Sequence, residues 1–111
     1  KAGVTTRMML NHTTGVAAFR DDLPGDSALD WDYMCDRVAA EEPWWEPGTR
    51  NGYHLMSFGW VAGELVRRAS GQSLGAFFRE EVAEPVGADF WIGLPTEEHH
   101  RVSPLRPFRP S

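Results

Sequence analysis

Glu46-Pro-Gly-Thr-Arg-Asn-Gly-Tyr-His-Leu-Met-Ser-Phe-Gly-Trp60 runs from a turn, past one tyrosine, into an amphipathic helix. Pro47-Gly48 is a strong turn dipeptide. Gly52 allows a tight backbone bend just before Tyr53. From Phe58 onward the apolar residues Phe58, Val61, Ala62, Leu65 and Val66 recur at i, i+3, i+4, i+7 and i+8, one face of a helix. Tyr53 therefore sits on a loop whose far end is anchored in packed structure, a setting that often carries catalytic side chains. The bland alternative is a half-buried packing aromatic with its hydroxyl at the surface.

Outward from that stretch, helices are expected over residues 28–41, 56–69 and 73–83, with a shorter one ending before Gly15. Ser27 followed three residues later by Asp30 is close to a capping box. Trp31, Met34, Cys35, Val38 and Ala39 then repeat at helical spacing until Glu41-Glu42-Pro43 ends the run. Arg67 and Arg68 suit the negative end of the central helix, which Ser70-Gly71 closes. Ser73 is the expected cap of the next helix, which buries Leu74, Phe77, Phe78 and Val82. Phe90-Trp-Ile-Gly-Leu94 reads as a short strand. Residues 1–100 form one helical subdomain in this reading, and the proline-punctuated segment 101–111 an extended or poorly ordered tail.

A chain of 111 residues holds at most one domain with a modest core. A net charge of -5 argues against a nucleic-acid binder, and no apolar run is long enough to span a membrane. The start at Lys1 rather than Met points to a longer product; with no signal peptide visible, a cytoplasmic location is the expectation. The single cysteine, Cys35, excludes an internal disulfide and reads as a small buried hydrophobe. Glu97-Glu98-His99-His100 lacks metal-ligand spacing and reads as a solvated segment, as does the Asp21–Asp26 turn, so neither a metal nor a cofactor is expected. His12 is either a ligand or a base or, the simpler reading, a side chain that hydrogen-bonds its own turn. Trp44 reads as core; Trp45 is either a pocket wall or a plug under the loop.

Trp45-Glu-Pro-Gly-Thr49, three further residues, then Tyr53 and an apolar helix resembles the second signature region of the penicillin-recognising serine hydrolases. That superfamily includes class C β-lactamases, DD-peptidases and β-lactamase-like carboxylesterases. Met9-Leu-Asn-His-Thr-Thr-Gly15 is similar to its Leu-Leu-x-His-Thr-Ser-Gly segment; Gly63–Arg68 and Glu84–Leu94 look like the esterase branch. The resemblance implies a mainly α chain, the helical lobe of a two-lobed fold whose other lobe is α/β. It implies an acyl-enzyme mechanism in which Tyr53 is the general base, working with a serine and a lysine, on a small-molecule ester or amide. It makes Trp45, His54 and Leu55 candidates for the substrate pocket, and it implies no cofactor.

Two departures bear on activity. Lys1 is the only lysine, so no Ser-x-x-Lys nucleophile can be written; the chain is expected to be the inactive middle of a longer enzyme. Its apolar faces are then expected to meet the missing α/β lobe or another copy. Tyr53-His54-Leu55 replaces the Tyr-x-Asn triplet of the class C branch, and leucine makes no hydrogen bond to a substrate amide, which favours esters over β-lactams. The alternative is a non-catalytic helical module that acts through an exposed aromatic surface.

Overall fold

The structure is a computed structural model that describes residues 3–105. Among the described residues four α-helices follow in order: α1 (Thr6–Leu10), α2 (Trp31–Ala40), α3 (Phe58–Ser70) and α4 (Leu74–Phe78). Short 3-10 turns occupy Ser27–Leu29 and Thr96–Arg101, and a π-helical turn occupies Arg79–Ala83. No strand occurs among the described residues, so the chain is mainly α as expected. It divides into two compact units between Leu74 and Gly75.

In the first unit α3 is the central element, with α1 and α2 both packed on it. The second helix starts later than its apolar pattern suggests. Asp30 is extended (φ -92°, ψ 101°) and its side chain accepts the Tyr33 backbone N–H at 3.0 Å, so Asp30 rather than Ser27 is the cap. An aspartate directly before the first apolar residue satisfies an otherwise orphaned N–H and favours the helix dipole. The central helix begins at Phe58, leaving Leu55 and Met56 in the preceding loop, each 72% exposed. It ends as expected at Gly71, at φ 77°, whose N–H reaches the Arg67 carbonyl at 2.9 Å.

In the second unit α4 passes directly into the π-helical turn, where the Glu84 N–H reaches back five residues to the Arg79 carbonyl. The same spacing joins the side chains of Arg79 and Glu84 at 2.9 Å. The expected strand over 90–94 does not form. A strand exists by pairing its backbone with a neighbour, and none of the described residues supplies one; Gly93, at φ 81°, also interrupts the extended run. Phe90 instead stacks edge-on against Phe78, ring centres 5.4 Å apart. Arg101 closes the last 3-10 turn, residues 102–105 carry no regular secondary structure, and the rest of the expected tail lies outside the described residues.

Burial departs furthest from the sequence pattern. Val16, Met34 and Ala83 are the buried apolar side chains, while Val61, Leu65 and Val66 on the apolar face of α3 are only half-buried. Trp44, expected in the core, is 52% exposed: its indole N–H donates to the Ala18 carbonyl and the Arg20 guanidinium lies 4.3 Å over its ring. A tryptophan keeps one polar edge that needs a partner, and here that partner lies at the surface.

Gly63 of α3 packs against Trp31 of α2. A Cβ at Gly63 would lie 2.5 Å from the Trp31 ring, which is pinned because its N–H donates to Glu64 at 3.1 Å. Gly63→Ala is therefore expected to lower stability by about 1–3 kcal/mol through overpacking, despite the higher helix propensity of alanine. The check is a lower urea midpoint; an unchanged or higher one would show that the two helices can part.

Candidate active site

Tyr53 is positioned by two loops that the sequence separates widely. The first follows α1, which ends in a Schellman arrangement: the Thr13 N–H reaches the Met8 carbonyl at 2.9 Å, and His12 occupies the left-handed position at φ 63°. Glycine is usual there, and a side chain costs about 1–2 kcal/mol. The second loop contains the Pro47-Gly48 turn, with Gly48 at φ 89° and the Thr49 N–H on the Glu46 carbonyl at 3.2 Å. The two loops bond along their length. The N–H groups of Trp44, Gly48 and Gly52 donate to the carbonyls of Gly15, Thr13 and His12 at 2.7, 2.8 and 2.9 Å, and the Asn51 side-chain amide donates to the Asn11 carbonyl at 2.8 Å.

Gly52 is needed for a different reason from the bend expected of it. Its backbone passes against the Trp45 indole, where a Cβ would collide with the ring. Trp45 is fixed in that position by its indole N–H, which donates to the Arg50 carbonyl at 3.1 Å. Leu55 points into solvent and His54 into the interior, 1% exposed.

The two histidines meet. His12 Nδ1 lies 2.7 Å from His54 Nδ1, and the His54 backbone N–H donates to His12 Nδ1 at 3.4 Å. Thr14 Oγ1 lies 2.8 Å from His54 Nε2 and accepts the Val16 N–H at 3.0 Å. One assignment satisfies every contact: the Thr14 hydroxyl donates to His54 Nε2, and His54 Nδ1–H donates to His12 Nδ1. Burial first, and then the neighbouring His12, holds the His54 imidazole below its ordinary 6.5. The Tyr53 ring stands edge-on to His12, centres 4.9 Å apart at 75°. The residue is 64% exposed, and no hydrogen bond holds its hydroxyl among the described residues. Thr14 was not among the sequence candidates, and His12, expected chiefly to hydrogen-bond its own turn, meets His54 instead. The partners His12 and His54 are 42 residues apart, which no periodicity can connect.

Behind His54 lies a mostly apolar cavity of about 330 Å³, whose wall includes Thr14, Cys35, Trp60, Leu65 and Glu64. Glu64 accepts from Arg67 (2.7 and 2.8 Å), from Arg68 (2.7 Å) and from the Trp31 indole. Those guanidiniums hold its carboxyl well below the usual range. Cys35 is half-buried rather than fully buried, and its thiol faces Glu64 at 3.8 Å. Burial, then that carboxylate, pushes the thiol up to about 11. Among the described residues no group of three or more His, Cys, Asp or Glu side chains is placed to hold a metal.

The chain is similar to known proteins in sequence and in fold. A family model described as Beta-lactamase matches residues 1–108. The esterase/beta-lactamase LipL of Mycobacterium tuberculosis (strain ATCC 25618 / H37Rv) is 36% identical over 89 residues, which are 80% of this chain and 20% of LipL. The crystal structure of a penicillin-binding protein homologue from Caulobacter crescentus superposes with a TM-score of 0.89 at 40% identity, over 100% of this chain and 29% of that one. The chain thus spans about a fifth of the curated relative and under a third of the solved one.

Cys35 is expected to be a poor nucleophile. A thiol raised from 9.0 to about 11 holds about a hundredfold less thiolate near pH 8, offset roughly tenfold by the greater reactivity of each thiolate. Labelling by a disulfide reagent should run at least about tenfold slower than for free cysteine and accelerate in Glu64→Gln. Labelling at the free-thiol rate would show an accessible, activated sulfur.

Proposed function

The chain belongs to the beta-lactamase family, and on that premise we propose that it is the helical lobe of a longer serine hydrolase that cleaves carboxylic esters, with Tyr53 as general base. The observation that carries this reading is the setting of Tyr53. It is presented outward, with its hydroxyl unengaged among the described residues, on a loop held by hydrogen bonds along both sides. A phenol ionises near pH 10 in water, so it takes a proton at neutrality only beside a cation. In this reading the cation is a lysine that also flanks the attacking serine, both on chain beyond these residues. The phenolate removes the serine proton as the acyl-enzyme forms and later activates water.

Ester rather than β-lactam substrates are supported by Leu55 in the third position of the Tyr53-His54-Leu55 triplet, and by the esterase activity in the name of LipL. Trp45 and Leu55 border the Tyr53 turn and are proposed to face the acyl or leaving group. His54, buried behind the tyrosine, would act on substrate only through its neighbours. A second reading, a helical module that acts by association, is favoured by the exposed apolar surface at Leu10, Trp44, Leu55 and Met56. The primary reading assigns that surface to the α/β lobe of the longer enzyme.

Two outcomes are expected. In the longer enzyme, Tyr53→Phe should lower turnover of a short-chain nitrophenyl ester by about two to four orders of magnitude, with an unchanged circular dichroism spectrum. A folded, near-fully active variant would end the catalytic reading. The 111-residue chain by itself should bind an apolar-surface dye and self-associate in sedimentation; a dye-silent monomer would show that its surface needs no cover.

A further inference from the structure

We propose that the His12–His54 contact is a proton-limited clamp that positions Tyr53, holding the tyrosine turn while the pair carries at most one proton and releasing it when both rings are charged. The motivation is geometric. His12 keeps a side chain at a left-handed position where glycine is the unstrained choice, and that side chain is what touches both His54 and the Tyr53 ring. A non-glycine residue held in such a conformation needs surrounding contacts that over-determine it. Here they are the Gly52 N–H on its carbonyl, the His54 backbone and ring N–H groups on its Nδ1, and the Tyr53 and Phe58 rings against its face.

The proton count follows from the same contacts. With no charge on the pair, donation runs from Thr14 through His54 to His12. One proton can be accommodated on His54 Nε2: that N–H donates to Thr14 Oγ1, while the His54 Nδ1–H and backbone N–H keep His12 Nδ1 as their acceptor. A second proton leaves an N–H on each Nδ1, facing each other across 2.7 Å with no acceptor between them. The rings must then separate, and His12 carries the support of Tyr53 with it. Other ionisable groups near His54 do not replace this control. Glu64 and Arg68 of α3, which border the same cavity, are bonded to each other, Arg67 shares that carboxylate, and the Cys35 thiol of α2 stays protonated. The catalytic role of Tyr53 rests on the proposed function above; the clamp itself does not.

The test is an NMR titration of the 111-residue chain from about pH 8 to pH 4, reading the histidine rings, the Tyr53 ring and the Gly52 and Tyr53 amides, with the exposed His99 and His100 as internal references. The expected result is that the Tyr53 and Gly52 signals stay put through the first proton on the pair. They should move together with the second, below the ordinary imidazole value of 6.5, with at least about a tenfold loss of Gly52 exchange protection. In His12→Gln the side-chain carbonyl can still accept from His54 but takes up no proton, so this Tyr53 transition should vanish while the His99 and His100 curves stay unchanged. The clamp is overturned if His12 and His54 titrate as independent single sites, if Tyr53 ignores the second proton, or if the transition persists in His12→Gln. Should that variant fail to fold, coincidence of the Tyr53 and second-proton transitions in the unmodified chain decides alone. In the longer enzyme His12→Gln should flatten the acid limb of the kcat profile. Full activity of Tyr53→Phe would refute the catalytic reading and leave the titration result standing.

Discussion

The bonding between residues 11–15 and 44–52 is the constraint on which the site depends. Neither segment is a helix or a strand, yet each places backbone N–H or C=O groups where the other can satisfy them. Buried or half-buried loop backbone must find such partners, and here the partners are mutual. The consequence is local: with those bonds made, His12 lies under Tyr53, Thr14 reaches His54, and Trp45 closes against Gly52. The exposed tyrosine is then held by its backbone and by its ring contact with His12, with no hydrogen bond to its hydroxyl among the described residues.

The helices supply support rather than chemistry. α3 anchors the far end of the tyrosine loop, and its polar edge is organised by Glu64, which gathers Arg67, Arg68 and the Trp31 indole around one carboxylate. Both arginines are well exposed, so those ion pairs contribute little individually to stability. Glu64 itself links α3 to α2 by accepting the Trp31 indole N–H, and after burial its carboxylate is what raises the Cys35 thiol. A second carboxylate, Glu41, is buried and paired with Arg20 at 2.7 Å, and it ties the loop after α1 to the end of α2.

The thin core is the other side of this economy. Amphipathic faces are present on α2 and α3, but much of their apolar surface is only partly covered, and Leu55 and Met56 face solvent beside the candidate base. Isolated apolar residues at a surface are ordinary; adjacent ones form the larger apolar patches that binding surfaces use. The chain covers 20% and 29% of the relatives it matches.

The sequence by itself determined the helical class, the existence of α3 and its glycine stop, the Pro47-Gly48 turn and the family, because these rest on local periodicity, local φ preference and short motifs. It also singled out Tyr53, through the motif around it. Tertiary structure decided the rest. The pattern at Phe90–Leu94 was that of a strand, but pairing requires a neighbour and no described residue provides one. The run beginning at Ser27 looked like one helix, and Asp30 divided it by capping the part that packs. Trp44 went to the surface because its indole N–H found a loop carbonyl there. Only the fold brought His12 to His54, since a hydrogen bond between side chains 42 residues apart depends on how two irregular loops satisfy each other's backbone, and no local rule encodes that.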